Sequence, residues 1–463
     1  MFANRVSELD LLERHHASDK AELFVLYGRR RVGKTELLAR FCEGKRHVFF
    51  VADQVSESVL RAGLSKAIND AIFGQGQVNA VYNSWDDLFA TLAGQAQKER
   101  LIVVLDEFPY LVAAYPPLAS ILQRLWDRVL QHSKIMLVLC GSYIGMMEET
   151  VLGYRAPLYG RRTAQYLLEP LEFFDAQLFF PTYHPEDRLL AYAVYGGTPA
   201  YLKTIQPDRT LEANILEGIL ERGAPLYDEI RFVLQQELRE PRNYFAVLQA
   251  IASGQTRQNE IKQATGLVSV TPYLETLQQL HLIERVVPVT ESQPHKSRRG
   301  IYRLKDHFAR FWFRFVLPNW SQLERGAKAV VLASTIRPEY DHFAAPVFEQ
   351  VCQQYFWRQG LAGRLPFVPN QIGGWWQANE EINLILLGAE DAMFVECKWT
   401  SRPVGIDILQ GLEKKAGAVF KETGHRKLAF ALCARSGFTE QLHQLAAERK
   451  EIQLIDWAGI LAE

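Results

Sequence analysis

Between the apolar run LFVLY (23–27) and the helical pattern ELLARFC stand Gly28-Arg29-Arg30-Arg31-Val32-Gly33-Lys34-Thr35. The pattern GxxxxGK[ST] in that setting demands a strand, a loop with inward-facing backbone N–H groups, and a helix starting at the loop's end. Its glycines let the chain curl, and the helix N-terminus adds a dipole that favours phosphate. Lys34, expected to face solvent, has the reach for the β- and γ-phosphates of a nucleotide such as ATP, and Thr35 can ligate Mg²⁺. The Arg29-Arg30-Arg31 triplet lies inside the loop and suits phosphate charge.

A second run, LIVVLDE (101–107), ends in Asp106-Glu107. With HVFFVA (47–52), IMLVLCGS (135–142) and QYLLEPL (165–171), these runs lack period-2 alternation and are separated by helical patterns. Buried parallel strands covered on both faces read this way. Ligands in such sheets bind beyond the strands' C-terminal ends, where Asp106 and Glu107 fall. Asp106 is expected to hold Mg²⁺ through water, and Glu107 to orient or deprotonate an attacking water. Ser142 is a candidate sensor of the γ-phosphate, or an ordinary strand-ending turn. Arg161 and Arg162 are candidates for an arginine finger, in cis or from a neighbouring subunit, against the alternative of surface ion pairing.

The 463 residues suggest about three domains, and 48% hydrophobic content supplies ample core. A net charge of −1 excludes a global basic field that would draw the chain to nucleic acid. The five cysteines (Cys42, Cys140, Cys352, Cys397, Cys433) show no CxxC or metal-ligand spacing. Cys140, Cys397 and Cys433 lie in apolar runs and are expected to be small buried hydrophobes, without a disulfide framework. The beginning MFANRVSELDLLERH has no apolar h-region, and no run of 18 apolar residues suggests a membrane span. The expected compartment is the cytoplasm.

Four segments are expected: a nucleotide-binding core over 1–172, a helical region over 173–240, a winged helix over 241–305 and a last α/β region over 306–463. The third reads as three helices, a strand, the polar loop TESQPHKSRRG and a returning strand, IYRLK. On its third helix Val270, Leu274, Leu277 and Leu280 should face the core. The opposite face, Thr271, Tyr273, Glu275, Thr276, Gln278 and Gln279, has no Lys or Arg and suits DNA poorly. His295, Lys296, Arg298 and Arg299 make the loop tip basic. Domain packing or autoinhibition is favoured over DNA reading. The last region shows strand patterns at 382–387, 393–397, 428–433 and 452–456.

The stretches LYGRRRVGKTELL, VLDEFPYL, YGRRT and YGGTPAYL together resemble the prokaryotic P-loop ATPases near the AAA+ and STAND classes, often described as archaeal-type ATPases. The resemblance covers essentially the whole chain. It implies an α/β P-loop NTPase sheet with a helical lid, a winged helix and a C-terminal α/β domain related to PD-(D/E)XK nucleases. In that family the segment matching Tyr195 to Pro199 belongs to the lid over the nucleotide.

In PD-(D/E)XK-like folds an acidic residue ends one strand and Glu-x-Lys lies on the next, so that two carboxylates clamp a divalent metal. Glu396 and Lys398 fit the second position and share one strand face. Glu349, in PVFEQVC, matches the family's helical Glu, and Gln410 a frequent polar helper. Asn383 stands where the pattern has Asp, and hard Mg²⁺ prefers carboxylates. Glu381 is on the same face but about 6.6 Å further along, at ~3.3 Å per residue. The expected protein is an Mg²⁺-dependent ATP-hydrolysing switch with a degenerate nuclease-like domain. The competing classes are an ATP-licensed DNA nuclease effector and an interaction protein that holds nucleotide without turnover. The expected partners are ATP, an unidentified protein and further copies of the chain, with DNA not favoured and no membrane.

Overall fold

The computed structural model describes residues 3–238, 240–424 and 427–462. The chain forms two compact units, Met1–Pro170 with Thr198–Ala200, and Leu171–Gly197 with Tyr201–Glu463.

In the first unit, apolar residues run nearly unbroken along the three inner strands of the sheet because both faces of those strands are buried. Strands β1 (Glu22–Tyr27), β2 (His47–Val51), β3 (Leu101–Asp106), β4 (Ile135–Gly141) and β5 (Ala164–Leu167) make one sheet in the order β2-β3-β4-β1-β5. Every pairing is parallel. Alternate residues enter two separate cores. Leu23, Val25, Leu105, Leu137 and Leu139 face one, with Leu60, Leu64, Leu88 and Phe89 from helices Glu57–Phe73 and Trp85–Gln95. Phe24, Leu26, Val104, Val138 and Cys140 face the other. That second face is covered by Leu12 of helix Val6–His16 and by Leu37, Leu38 and Phe41 of helix Lys34–Cys42. The expected α/β class is the one observed. β5 stops at Leu167, earlier than its apolar pattern, with Pro170 close behind.

The second unit begins helically. Helix Pro185–Tyr195 ends where Gly196 takes φ 67°. Helices Pro241–Ala252, Gln258–Thr265 and Thr271–Gln279 follow, and then an antiparallel hairpin, β6 (Ile283–Val286) and β7 (Ile301–Leu304). Val270, Leu274, Leu277 and Leu280 are all buried, as their spacing requires. A second five-stranded sheet is built from β8 (Gln371–Gln377), β9 (Glu380–Leu387), β10 (Asp391–Lys398), β11 (Lys427–Ala434) and β12 (Ile452–Asp456), in the order β12-β11-β10-β9-β8. β8, β9 and β10 pair antiparallel, and β10, β11 and β12 parallel. One face packs Leu409, Leu412, Ala416 and Val419 of helix Ile406–Thr423 against Phe394, Phe430 and Leu432. Helix Tyr340–Leu361 also packs on β8, β9 and β10, burying Val347, Phe348 and Val351. β8 lacked a clear sequence signal: QIGGWWQ is polar at both ends and carries two glycines, and a bulge lies between Gly373 and Trp375.

The hairpin's connecting segment docks on β8. Val289 N–H donates to Gly374 O at 2.9 Å, and the Trp376 indole donates to Arg299 O at 2.8 Å. At the end of the Pro185–Tyr195 helix, Gly197 O accepts from Leu171 N at 2.8 Å. A Cβ on Gly197 would stand 1.8 Å from Leu171 O, a rigid backbone atom. Gly197→Ala is therefore expected to destabilise the second unit by about 3 kcal/mol, the upper range for overpacking. Denaturant unfolding followed by tryptophan fluorescence checks this, and an unchanged midpoint would show that the turn relaxes freely.

Candidate functional site

The Gly28–Thr35 loop leaves β1 and enters helix Lys34–Cys42, and its conformation explains its glycines. Gly28 has φ +151°, and a Cβ there would lie 2.4 Å from Leu168 O. Gly33 has φ +94°, a value that side-chain-bearing residues rarely adopt. Val32 is buried in the adjoining core and pins the loop's middle. Arg5 braces it from outside: Nη2 donates to Val32 O at 3.1 Å and Glu169 O at 2.8 Å, while Nη1 pairs with Glu8 at 2.8 Å. Arg5 carried no motif signal, since its partners are backbone oxygens distant in sequence.

Lys34 does not face solvent as expected. It is 5% exposed, and its Nζ donates to Gly28 O at 2.8 Å and Arg29 O at 2.9 Å. The loop wraps around the ammonium, so its own carbonyls solvate the charge. Burial lowers the Lys34 pKa, while Cys140, Glu107 and Asp106 nearby act in the opposite direction. Arg30 donates to the Tyr110 hydroxyl at 2.6 Å. The Thr198–Ala200 segment belongs to this unit, and a side chain at Gly33 would meet the Pro199 ring at 3.8 Å.

At the C-terminal ends of β3 and β4 the acidic pair closes the site. Thr35 Oγ1 donates to Asp106 Oδ2 at 2.6 Å, and Asp106 is buried. Asp106 Oδ1 accepts from Glu107 N at 2.9 Å. Glu107 has a left-handed backbone, φ 52° and ψ 42°, uncommon for a residue with a side chain. Ser142 Oγ reaches both Glu107 carboxylate oxygens, at 2.6 and 2.8 Å. Arg161 pairs with Asp127 through two contacts, 2.9 and 2.8 Å. Arg162 donates to Leu152 O at 2.8 Å and lies over the Tyr159 ring. Both arginines are thus engaged by neighbours outside the loop.

A second candidate site lies in the second unit. Lys398 Nζ is 2.6 Å from Glu396 Oε1, and Lys415 Nζ, from helix Ile406–Thr423, is 3.7 Å from Glu396 Oε2. Glu396 is buried, and its Oε2 has no hydrogen-bond donor among the described residues. The β9–β10 ladder closes at Leu384–Val395. Just beyond it, Asn383 Oδ1 accepts from Cys397 N at 2.9 Å. Glu349, on helix Tyr340–Leu361, lies within the electrostatic reach of Arg303, Glu381, Glu396 and Lys398. Gln410 is exposed and, among the described residues, makes no hydrogen bond to this group. Lys415 and Arg303 escaped the sequence reading, because a lone basic residue on an amphipathic element carries no pattern.

This fold, with its loop and acidic pair, is that of a P-loop ATPase. Residues 2–205 match the family described as "ATPase domain predominantly from Archaea", and residues 312–422 match "Archaea bacterial proteins of unknown function". An uncharacterized protein of Methanocaldococcus jannaschii, MJECL04, is 34% identical over 404 residues, covering 86% of this chain and 88% of that one. An uncharacterized ATP-binding protein of the same organism, MJ0423, is 56% identical over 46 residues, covering 10% of this chain and 78% of that one. Among solved structures, the Walker-type ATPase PABY2304 of Pyrococcus abyssi matches with a TM-score of 0.50 and 20% identity, over 68% of this chain and 96% of that one. The chain belongs to the family of the M. jannaschii protein MJECL04, and its N-terminal part is an ATP-binding ATPase domain of archaeal type. Among the described residues, no helix is long and apolar enough to cross a membrane.

Burial pushes the Glu349 carboxyl up to about 7, with Arg303 and Lys398 opposing and Glu381 and Glu396 reinforcing the rise. The folded state therefore binds this proton more tightly than the unfolded chain. Stability present at acid pH falls as pH rises from about 4.5 to about 7, and stays reduced above. Glu349→Gln should remove that loss. In metal-free buffer the variant is expected to be about 2 kcal/mol more stable than the parent at pH 8, with the gap closing toward pH 4.5. Melting curves across that range test it, and a gap independent of pH contradicts it.

Proposed function

We propose that this protein is an Mg²⁺-dependent ATP-hydrolysing switch whose nucleotide state is passed to a winged helix and a degenerate nuclease-like domain. The observation that carries the reading is the linked set Thr35–Asp106–Glu107–Ser142 at the mouth of the phosphate loop. Lys34 and the loop N–H groups bind the β- and γ-phosphates. The Thr35 hydroxyl and Asp106 carboxylate, 2.6 Å apart, are hard oxygen donors of the kind that fit Mg²⁺. Mg²⁺ there supplies neutralisation of phosphate charge. Glu107 orients the attacking water and accepts its proton at a carboxylate oxygen, and Ser142 fixes the position of that carboxylate. Arg161 and Arg162 are the finger candidates, in cis or from a neighbouring copy, against the alternative of surface ion pairing that the Arg161–Asp127 pair supports.

The second unit is read as a winged helix packed on a nuclease-like domain that cuts weakly or not at all. Docking of the hairpin connection on β8 supports a packing role, as does the absence of Lys and Arg from the exposed face of helix Thr271–Gln279. In the tip, Arg299 is tied to Glu291 at 2.6 Å. The Glu396 neighbourhood does not fit an Mg²⁺ clamp. Asn383 brings no charge and spends its oxygen on a backbone N–H, and Lys398 already pairs Glu396. The competing reading, an ATP-licensed nuclease effector, draws on the proximity of Glu349, Glu381, Glu396 and Lys398. Five free thiols suit a cytoplasmic setting.

Lys34→Ala is expected to abolish binding of a fluorescent ATP analogue and, because its ammonium ties two loop carbonyls, to lower the melting temperature by a few degrees. Glu107→Gln should retain ATP and slow phosphate release about 10²- to 10³-fold. Equal phosphate release by parent and Glu107→Gln would remove Glu107 as the base. The parent should leave supercoiled plasmid intact with Mg²⁺, whereas Asn383→Asp should bind divalent metal more tightly. Cleavage by the parent that disappears in Glu396→Ala would establish the effector reading instead.

A further inference from the structure

Three of the five cysteines, distant in sequence and without any ligand spacing, meet inside the second unit. Cys352 comes from helix Tyr340–Leu361, Cys397 from β10 and Cys433 from β11, where Cys397 and Cys433 are register partners on adjacent parallel strands. Their sulfurs all lie within 4.8 Å of one another, and all three side chains are buried. The group stands apart from Glu396 and Lys398: strand alternation turns Cys397 to the opposite face of β10, toward the helix bearing Cys352.

We propose that Cys352, Cys397 and Cys433 form a three-coordinate thiolate site for a soft, thiophilic cation, with Cu(I) as the ion that fits best. Three sulfurs each about 2.3 Å from one ion stand about 4 Å apart, so the observed cluster needs to close by less than an ångström. Thiolates select Cu(I), zinc and iron–sulfur clusters over hard cations. Structural zinc takes four ligands almost without exception, and among the described residues no fourth His, Cys, Asp or Glu joins the three. A trigonal site of sulfur alone is complete for Cu(I) and incomplete for Zn²⁺. On binding, each ligating thiol releases its proton to solvent and forms one metal–sulfur bond, with no change in oxidation state.

The site joins the helix to two adjacent inner strands, β10 and β11, so the bound ion should stiffen the sheet that carries Glu396. Cys397 is also the residue whose N–H holds Asn383.

The test uses the full chain, reduced and anaerobic, titrated with Cu(I) in competition with a chromophoric Cu(I) chelator, and separately with Zn²⁺ against a zinc chelator. The expected result is one Cu(I) per chain withheld from the chelator, a near-ultraviolet thiolate-to-copper band, and X-ray absorption showing three sulfur neighbours. Cys352→Ala, Cys397→Ala and Cys433→Ala should each weaken retention at least tenfold, while Cys42→Ala and Cys140→Ala keep it. Full recovery of copper from the parent by the chelator would overturn the proposal without recourse to any variant. So would tighter retention of Zn²⁺ than of Cu(I), or undiminished retention in a folded Cys352→Ala variant, verified by circular dichroism.

Discussion

The hydrogen bond from Thr35 to Asp106 joins the first turn of the helix after the loop to the end of β3, although β4 lies between β1 and β3 in the sheet. It can form only if β4 lies in register between them and both outer strands end at the same level. Register pairs from Glu22–Met136 to Tyr27–Gly141, and from Leu101–Ile135 to Leu105–Leu139, set that level. The two-sided core fixes the register in turn, because a slip by one residue would exchange the faces of every side chain. The same alignment brings Ser142, just past β4, to Glu107, just past β3. Packing of Leu23 and Phe24 on opposite faces thus reaches, through strand level, to the geometry of the carboxylates.

The second sheet shows how one strand can serve two purposes. Along β10, Phe394, Glu396 and Lys398 lie toward helix Ile406–Thr423, where Lys415 approaches Glu396. Cys397, one residue on, turns to the other face. Where the β9–β10 ladder ends, the Asn383 side chain takes over the role of a backbone carbonyl by accepting from Cys397 N. That bond accounts for Asn383 in structural terms: a neutral amide satisfies the freed N–H without placing another negative charge beside the buried Glu396.

Much of this was legible in the residues. The phosphate loop, the acidic pair and the apolar runs of β1 to β4 declare themselves because each is local, an apolar run or a short spaced motif whose physics needs no distant partner. Thr271–Gln279 showed its buried stripe for the same reason. β8 was missed because its glycines and polar ends satisfy no strand pattern, and its stability comes from pairing with β9 and cover by Val289. The solvent-facing expectation for Lys34 failed because a long side chain on a loop reads as exposed until the loop's own carbonyls are seen closing on it.

What the sequence determined by itself is the nucleotide-binding chemistry and the α/β class, since strand–loop–helix and two-faced burial are written in consecutive residues. What only the tertiary structure decided is which single residues act together. Arg5 braces Val32, Ser142 grips Glu107, Lys415 approaches Glu396, and Cys352 meets two cysteines some tens of residues away. Each of these is a contact between elements, set by how helices lie on sheets, and side-chain hydrogen bonds and thiol contacts of that kind leave no periodic trace along the chain.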